Sequence, residues 1–431
     1  MGDPMSELLV LVDGEPAARV VQAHSGDLSL VYDRSWQDRP DSFAISLSMP
    51  LSRLEHGDAA VRPFMEGLLP DSADILAQWG RRFQVSPRNP FALLAHMGED
   101  CAGAVQFVRP DRFPVVARPE GRDVEWLSDD DIAERLRNLV EQHGVGRMPG
   151  DRGQFSLAGA QPKMPLLFDG GRWGIPSGAK PTTHILKPSA QRDLDGFELN
   201  EHFCLRLASA LDLAAADSSL GQFGDGTALV VTRYDRARTH DGTVLRLHQE
   251  DICQALAVSP LRKYQNEGGP GPEDVVALLL RESSEPQLDV AAFVDALALN
   301  WAIGGTDAHA KNFSLLLSAG TVRLAPLYDL VSILPYQRHL HYRTAKLAMR
   351  VDREYHLWKI ERRHWEGLAA RCDLDPEPVV ERVGQLLAAI PEAVDRVMEE
   401  LVGEGAAGVA LDGIASEIRA HGERCLQMLD R

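Results

Sequence analysis

The chain has 431 residues, 44% of them hydrophobic and 25% charged, and a formal net charge of −18. That length suits two or three domains, and the composition is that of a soluble globular protein, not a fibrous or disordered one. The acidic balance argues against a broad nucleic-acid binder, because neutralising phosphates takes clustered Lys and Arg.

No apolar run reaches the roughly 18 residues of a membrane span, so no membrane partner is expected. The N-terminus, MGDPMSELL, lacks the basic and apolar regions of a secretory signal. Gly2 and Ser6 match the loose myristoylation pattern, which weighs little beside an equally good start at Met5. Five cysteines (Cys101, Cys204, Cys253, Cys372, Cys425) stand far apart without a CxxC. This argues against a zinc site or disulfide framework and for a reducing, cytoplasmic location.

In chain order, LLVLVD reads as a strand, Asp13-Gly14 as a turn and ARVVQA as its hairpin partner. LSLVYD and FAISLSM are further short alternating segments, residues 58–108 are helical in places, and AGAVQFV is another strand. Residues 128–143 predict a helix with Ser128 as N-cap, Asp131 in the capping-box position and an Ile132, Leu136, Leu139 stripe. GVGRMPGDRGQF then reads as a Gly-rich linker. KMPLLFD and THILKP predict strands, Asp193–Leu213 a helix, and ALVVTRYD and VLRLHQE strands again. After about residue 253 the pattern is almost wholly helical, broken by the loop RKYQNEGGPGPED and by one hairpin, NFSLLLSAGTVRLAPL.

The residues that carry chemistry begin with Asp307 and Asn312, five apart in a loop after a helix. Asp329 follows 17 residues later, just beyond the hairpin. A carboxylate that accepts the proton of an attacking hydroxyl, with an amide oxygen and a second carboxylate to hold Mg²⁺, suits phosphoryl transfer. Asp and Asn also cap helices and build Asx-turns, so the triplet needs support from elsewhere. Lys187 supplies it at the end of the HILKP strand, where a lysine reaches nucleotide phosphates; the competing reading is a snorkelling strand-end lysine. Its carboxylate partner is Glu198 or Glu201, and the sequence does not choose between them. Ahead of that strand, FSLAGAQPK offers Ala158, Gly159 and Ala160, small enough for backbone amides to approach an anion, with Lys163 adding charge. RLHQEDICQAL holds Glu250 and Asp251, either of which can cap the helix that follows, and doubles as a candidate adenine hinge. His309 has no HxH, HExxH or HD companion for a metallohydrolase; it and Lys311 either face phosphates or brace the loop.

Together, FSLAGAQPK, HILKP, NEHFCLRLA, HQEDICQAL, KYQNEGGPG, GGTDAHAKNFSL, LAPLYDLVS and KLAM occur in order, and with EGLLPD and HMGEDCAGAVQF they resemble the HipA family of bacterial serine/threonine kinase toxins. The resemblance runs from roughly residue 6 to residue 390. It implies an α+β, two-lobed protein-kinase-like fold, distantly phosphoinositide-kinase-like. Residues 1–110 would form the extra N-terminal subdomain, 111–154 a helix and linker, 155–252 the β-rich nucleotide lobe and 253–431 the helical catalytic lobe. It implies ATP and Mg²⁺ as cofactors, Asp307 as catalytic base and Asn312 and Asp329 as metal ligands. ATP would be bound by Ala158, Gly159, Ala160, Gln161, Pro162, Lys163, Lys187, Glu250, Asp251, Ile252, His309, Lys311 and Tyr328. Ser156 would be an inhibitory autophosphorylation site. The implied partners are a HipB-like helix-turn-helix antitoxin, operator DNA mainly through that antitoxin, and a translation protein substrate such as an aminoacyl-tRNA synthetase. A small-molecule kinase and a non-catalytic corepressor are the competing readings. The presence of Lys187, Asp307, Asn312 and Asp329 argues against the corepressor, and only the family motifs against the small-molecule kinase.

Overall fold

The N-terminal alternation folds as an antiparallel sheet whose strands lie in the order Glu55–His56, Leu28–Tyr32, Glu15–Gln22, Ser6–Val12, Val105–Val108. This is a computed structural model, and it describes residues 6–117, 124–141, 155–159, 161–178, 180–188, 196–224, 226–336, 344–406 and 408–431. The linker read at 144–154, the start of the helix read from Asp193, and Ala160 lie outside the described residues. The chain divides into two compact units: Met1–Ala190, Gly221–Leu261 and Leu315–Thr321 in the first, Gln191–Leu220, Arg262–Ser314 and Val322–Arg431 in the second.

In the first unit, the alternate inward residues Leu8, Val10, Val20, Leu28 and Leu30 share a core with Phe64, Met65, Leu93 and Leu94 from the helices Asp58–Gly67 and Pro90–Met97. FAISLSM is not a strand; it makes only the bridge between Ser46 and Met49. Its alternation has another purpose, since the polar positions Ser46 and Ser48 turn their hydroxyls to the Gln254 carbonyl (3.3 and 3.0 Å). A second antiparallel sheet sets Gly226–Thr232, His184–Pro188, Met164–Asp169, Arg172–Pro176 and Val124–Leu127 side by side. The helix Asp129–Glu141 covers it with Ile132, Leu136 and Leu139. Ser128 and Asp131 exchange the reciprocal bonds of a capping box, 2.8 and 3.2 Å.

The second unit is built of helices, chiefly Phe197–Ala210, Pro272–Glu282, Pro286–Ile303, Arg362–Arg371, Pro376–Gly403 and Val409–Leu429. The helix Pro286–Ile303 is mostly apolar on every side and buried from Phe293 to Ile303, with Asp295 and Asn300 as its polar members there, as suits a central helix. Trp301 ties it in place: its indole donates to the Leu357 carbonyl at 3.0 Å and its ring meets Trp365 at 5.7 Å. The sequence predicts one hairpin in this region, and the structure adds a second, Lys346–Val351 with Glu354–His356. Its register breaks between Lys346 and Val351, which blurs the period-two signal a strand pair would leave in the sequence.

Candidate active site

Two glycines stop the central helix and launch the loop after it. Gly304 takes φ +65°, the left-handed C-cap conformation that a side chain disfavours. A Cβ on Gly305 would stand 2.3 Å from Asn300 Oδ1, and its N–H closes the helix end on the Asn300 carbonyl at 2.7 Å. The chain then presents Asp307, exposed, between half-buried Thr306 and Ala308, and the residues that follow, His309, Ala310, Lys311 and Asn312, are buried. The Asp307 carbonyl is held twice, by His309 N–H at 2.8 Å and by Asn312 Nδ2 at 3.0 Å. The backbone beneath the carboxylate is therefore fixed while the carboxylate itself faces outward.

The five-residue spacing of Asp307 and Asn312 thus has a direct structural cause, since Asn312 closes the turn that Asp307 opens. Asn312 Nδ2 is committed to that carbonyl, which turns Oδ1 the other way as an oxygen donor. Tyr328 joins the loop to the segment carrying Asp329. Its hydroxyl donates to the Lys311 carbonyl at 2.6 Å and lies 2.7 Å from Ser314 Oγ. Asp329, the next residue, sits at φ +56°, a left-handed conformation that Asp tolerates better than most side chains. Three residues on, Ser332 is clamped by Asn200 of the helix Phe197–Ala210 through bonds of 2.9 and 2.8 Å. Its amide oxygen and nitrogen both pair with the Ser332 backbone, a role that helical periodicity does not reveal.

An amide oxygen and a carboxylate form an all-oxygen donor set, which fits Mg²⁺; that ion takes one or two protein ligands and completes its shell with water and phosphate. His309 packs edge-on against Tyr264, ring centroids 4.9 Å apart, so it braces the loop. Both carboxylate candidates lie on the helix Phe197–Ala210, Glu198 partly exposed in its first turn and Glu201 buried.

The nucleotide candidates of the first unit group at one end of its second sheet. The pairing of these two strands ends at Met164 with Leu186, just after Lys163, while Lys187 stays in the sheet opposite Leu229 and is buried. Gly159 has φ +104°, and a Cβ there would stand 2.3 Å from Lys163 Nζ, so glycine lets the lysine fold over the loop and donate to the Ala158 carbonyl at 2.8 Å. Gln161 and Pro162 complete the turn between them. The loop is docked: Gly159 bridges to Pro70, and Phe155 to Asp100. Ser156 is fully buried, its hydroxyl donating to the Leu68 carbonyl at 2.7 Å.

At the candidate hinge, Glu250 spends its carboxylate on Ser46 Oγ (2.5 Å) and Leu47 N–H (2.8 Å). Asp251, not Glu250, is the cap of the helix Ile252–Ala255, in a capping box with Gln254. Both acidic side chains are therefore committed to structure, and a base would meet backbone here. The first N–H groups of that helix, Ile252 among them, have no intrahelical acceptor. Nearby His248 is buried, its imidazole pushed down to about 4 by burial, with Nε2 2.8 Å from the Ile45 carbonyl.

Residues 155–394 match the model of the HipA-like C-terminal domain, and residues 8–108 that of the HipA N-terminal domain. The chain belongs to the HipA family. Among its relatives is the Sinorhizobium fredii protein Y4mE, named provisionally as a kinase, 36% identical over 90% of this chain and 91% of that one. The serine/threonine-protein kinase toxin HipA of Shewanella oneidensis is 28% identical over 85% of this chain and 83% of its own length. The HipA of Shewanella oneidensis, solved in complex with HipB and operator DNA, superposes with a TM-score of 0.84, covering 98% of both chains at 23% identity. This chain thus has the HipA fold and belongs to a family of serine/threonine kinase toxins. Among the described residues no helix is long and apolar enough to cross a membrane.

Proposed function

We propose that this HipA-family chain is an ATP- and Mg²⁺-dependent serine/threonine protein kinase and the toxin of a HipBA-like module. The observation that carries the reading is the loop of the second unit: an exposed Asp307 on a backbone pinned by Asn312, joined through Tyr328 to the segment bearing Asp329. In the reaction, the acceptor serine oxygen attacks the γ-phosphorus of ATP, the bond from that phosphorus to the β–γ bridging oxygen breaks, and ADP leaves. Asp307 orients the serine hydroxyl and accepts its proton. Lys187, Lys163 and the amides around Gly159 bind the phosphates, and the backbone at Glu250–Ile252 takes the adenine. Asn312 and Asp329 would hold Mg²⁺, which neutralises phosphate charge when bound.

The acceptor we propose is a serine of a translation protein such as an aminoacyl-tRNA synthetase, a reading that rests on the family resemblance. A HipB-like antitoxin is the proposed partner, with operator DNA reached through it, in keeping with a net charge of −18. Phosphate transfer from labelled ATP with Mg²⁺, followed for wild type and Asp307→Asn, tests the assignment. Transfer by wild type should fall at least about 100-fold in the variant, the usual scale for losing a general base. Equal transfer by both rejects Asp307 as the base. ATP binding without transfer by wild type favours the non-catalytic corepressor.

A further inference from the structure

The motif KYQNEGGPG carries no part in the chemistry above, yet its loop is built with little tolerance. A Cβ on Gly269 would stand 2.0 Å from the Arg262 carbonyl oxygen, and one on Gly271 1.9 Å from Gln265 Nε2. The Gly269 and Glu267 N–H groups both close on the Tyr264 carbonyl at 3.0 Å, and Gln265 Oε1 accepts from Arg350 N–H at 2.9 Å. What this tightly folded loop delivers is a single phenol. The Tyr264 hydroxyl donates to Asp307 Oδ1 at 2.5 Å. Its ring stands edge-on to His309, and the neighbouring Lys263 carbonyl accepts from Ala310 N–H at 3.3 Å.

We infer that Tyr264 is a positioning residue for Asp307, an inference that rests on Asp307 being the catalytic base. The backbone under Asp307 is pinned by Asn312 and His309, but an exposed aspartate still turns about χ1 and χ2. The phenol removes that freedom by engaging Oδ1. Oδ2 is left to receive the acceptor hydroxyl in a fixed direction, and such pre-orientation is what speeds a bound reaction. The KYQNEGGPG loop is thereby a frame for the base, as the Asn312 turn is for its backbone.

Tyr264→Phe deletes the hydroxyl and keeps the ring against His309. With labelled ATP, Mg²⁺ and a protein acceptor, its kcat should fall about 10-fold, while the Kd for ATP and the Tm stay at wild-type values. In the Asp307→Asn background the same change should alter the residual rate less than twofold, because the two residues act as one unit. An unchanged kcat in the single variant, or losses that multiply in the double variant, overturns the inference and leaves the kinase reading standing. A higher kcat would make the phenol a blocking pseudo-acceptor and also overturn it. Wild-type protein that binds ATP and transfers nothing overturns the kinase reading and this inference together.

Discussion

Ser156 shows how one hydroxyl can hold a loop. It is fully buried and donates to the Leu68 carbonyl, with Gly159 and Phe155 bridged on either side of it. A phosphate adds about −1.5 to −2 charges and three acceptor oxygens, none of which can satisfy a carbonyl in a dehydrated site. The loop would therefore have to leave its docked position before this serine could be modified, and a phosphorylated loop would not return. Ser156→Asp should weaken ATP binding at least about 10-fold, the effect of roughly 1.4 kcal/mol, and expose residues 155–163 to limited proteolysis. Ser156→Ala should bind ATP as wild type does and lose about 1–2 kcal/mol of stability, since only a hydrogen bond goes. Normal ATP affinity in the Asp variant would remove the inhibitory role proposed for this residue. The family resemblance singles out Ser156; the carbonyl that accepts its buried hydroxyl, Leu68, lies 88 residues away.

At the scale of elements, the turn before Val105–Val108 is fastened by buried charges. Asp100 receives Thr182 N–H and Oγ1 at 3.1 and 2.7 Å, Arg236 Nη2 at 3.0 Å and Arg246 Nε at 3.2 Å. Asp235 is gripped by both prongs of Arg233 and by Gly103 N–H at 2.7 Å. Burial alone would raise both carboxyls. The guanidiniums of Arg236, Arg246 and Arg233 outweigh it at Asp100, and Arg233 and Arg236 outweigh it at Asp235, so both sit below the usual carboxylate range. Asp100→Ala leaves three buried arginines short of a partner, and should lower stability by about 3–5 kcal/mol, read as a lower denaturant midpoint. A midpoint within experimental error of wild type would mean that this network is solvated. The elements themselves were largely legible, because amphipathic alternation and caps such as Ser128 act over a few residues. FAISLSM misled for the same reason: its alternation serves hydrogen bonds to Gln254, a partner that local sequence does not reveal.

Across the whole molecule, each unit has a deeply buried histidine that burial holds neutral. His248 in the first unit and His421 in the second are both pushed down to about 4, chiefly by burial. Nε2 of each lies beside a backbone carbonyl, that of Ile45 and of Trp301 respectively. The unfolded chain takes up these protons near pH 6.5, so the neutral forms contribute their full stability above that value. The contribution is lost as pH falls from 6.5 toward 4, on the order of 3 kcal/mol per histidine at the limit. Melting followed by circular dichroism should therefore show a clearly lower Tm at pH 5 than at pH 7.5. Equal Tm values at the two pH values would place both imidazoles in contact with water.

The sequence by itself determined the family and most of the helices and strands, and it supplied the residues proposed for phosphoryl transfer. Those features are written in short spacings, such as Asp307 to Asn312, where one side chain closes the turn the other opens. Tertiary structure decided what each residue is committed to. It gave the Glu250 carboxylate to Ser46 and Leu47, set Asn200 to clamp Ser332, and brought Tyr264 across 43 residues to the carboxylate of Asp307. A hydrogen bond between distant segments leaves no period in the chain, because its geometry exists only after the core has packed.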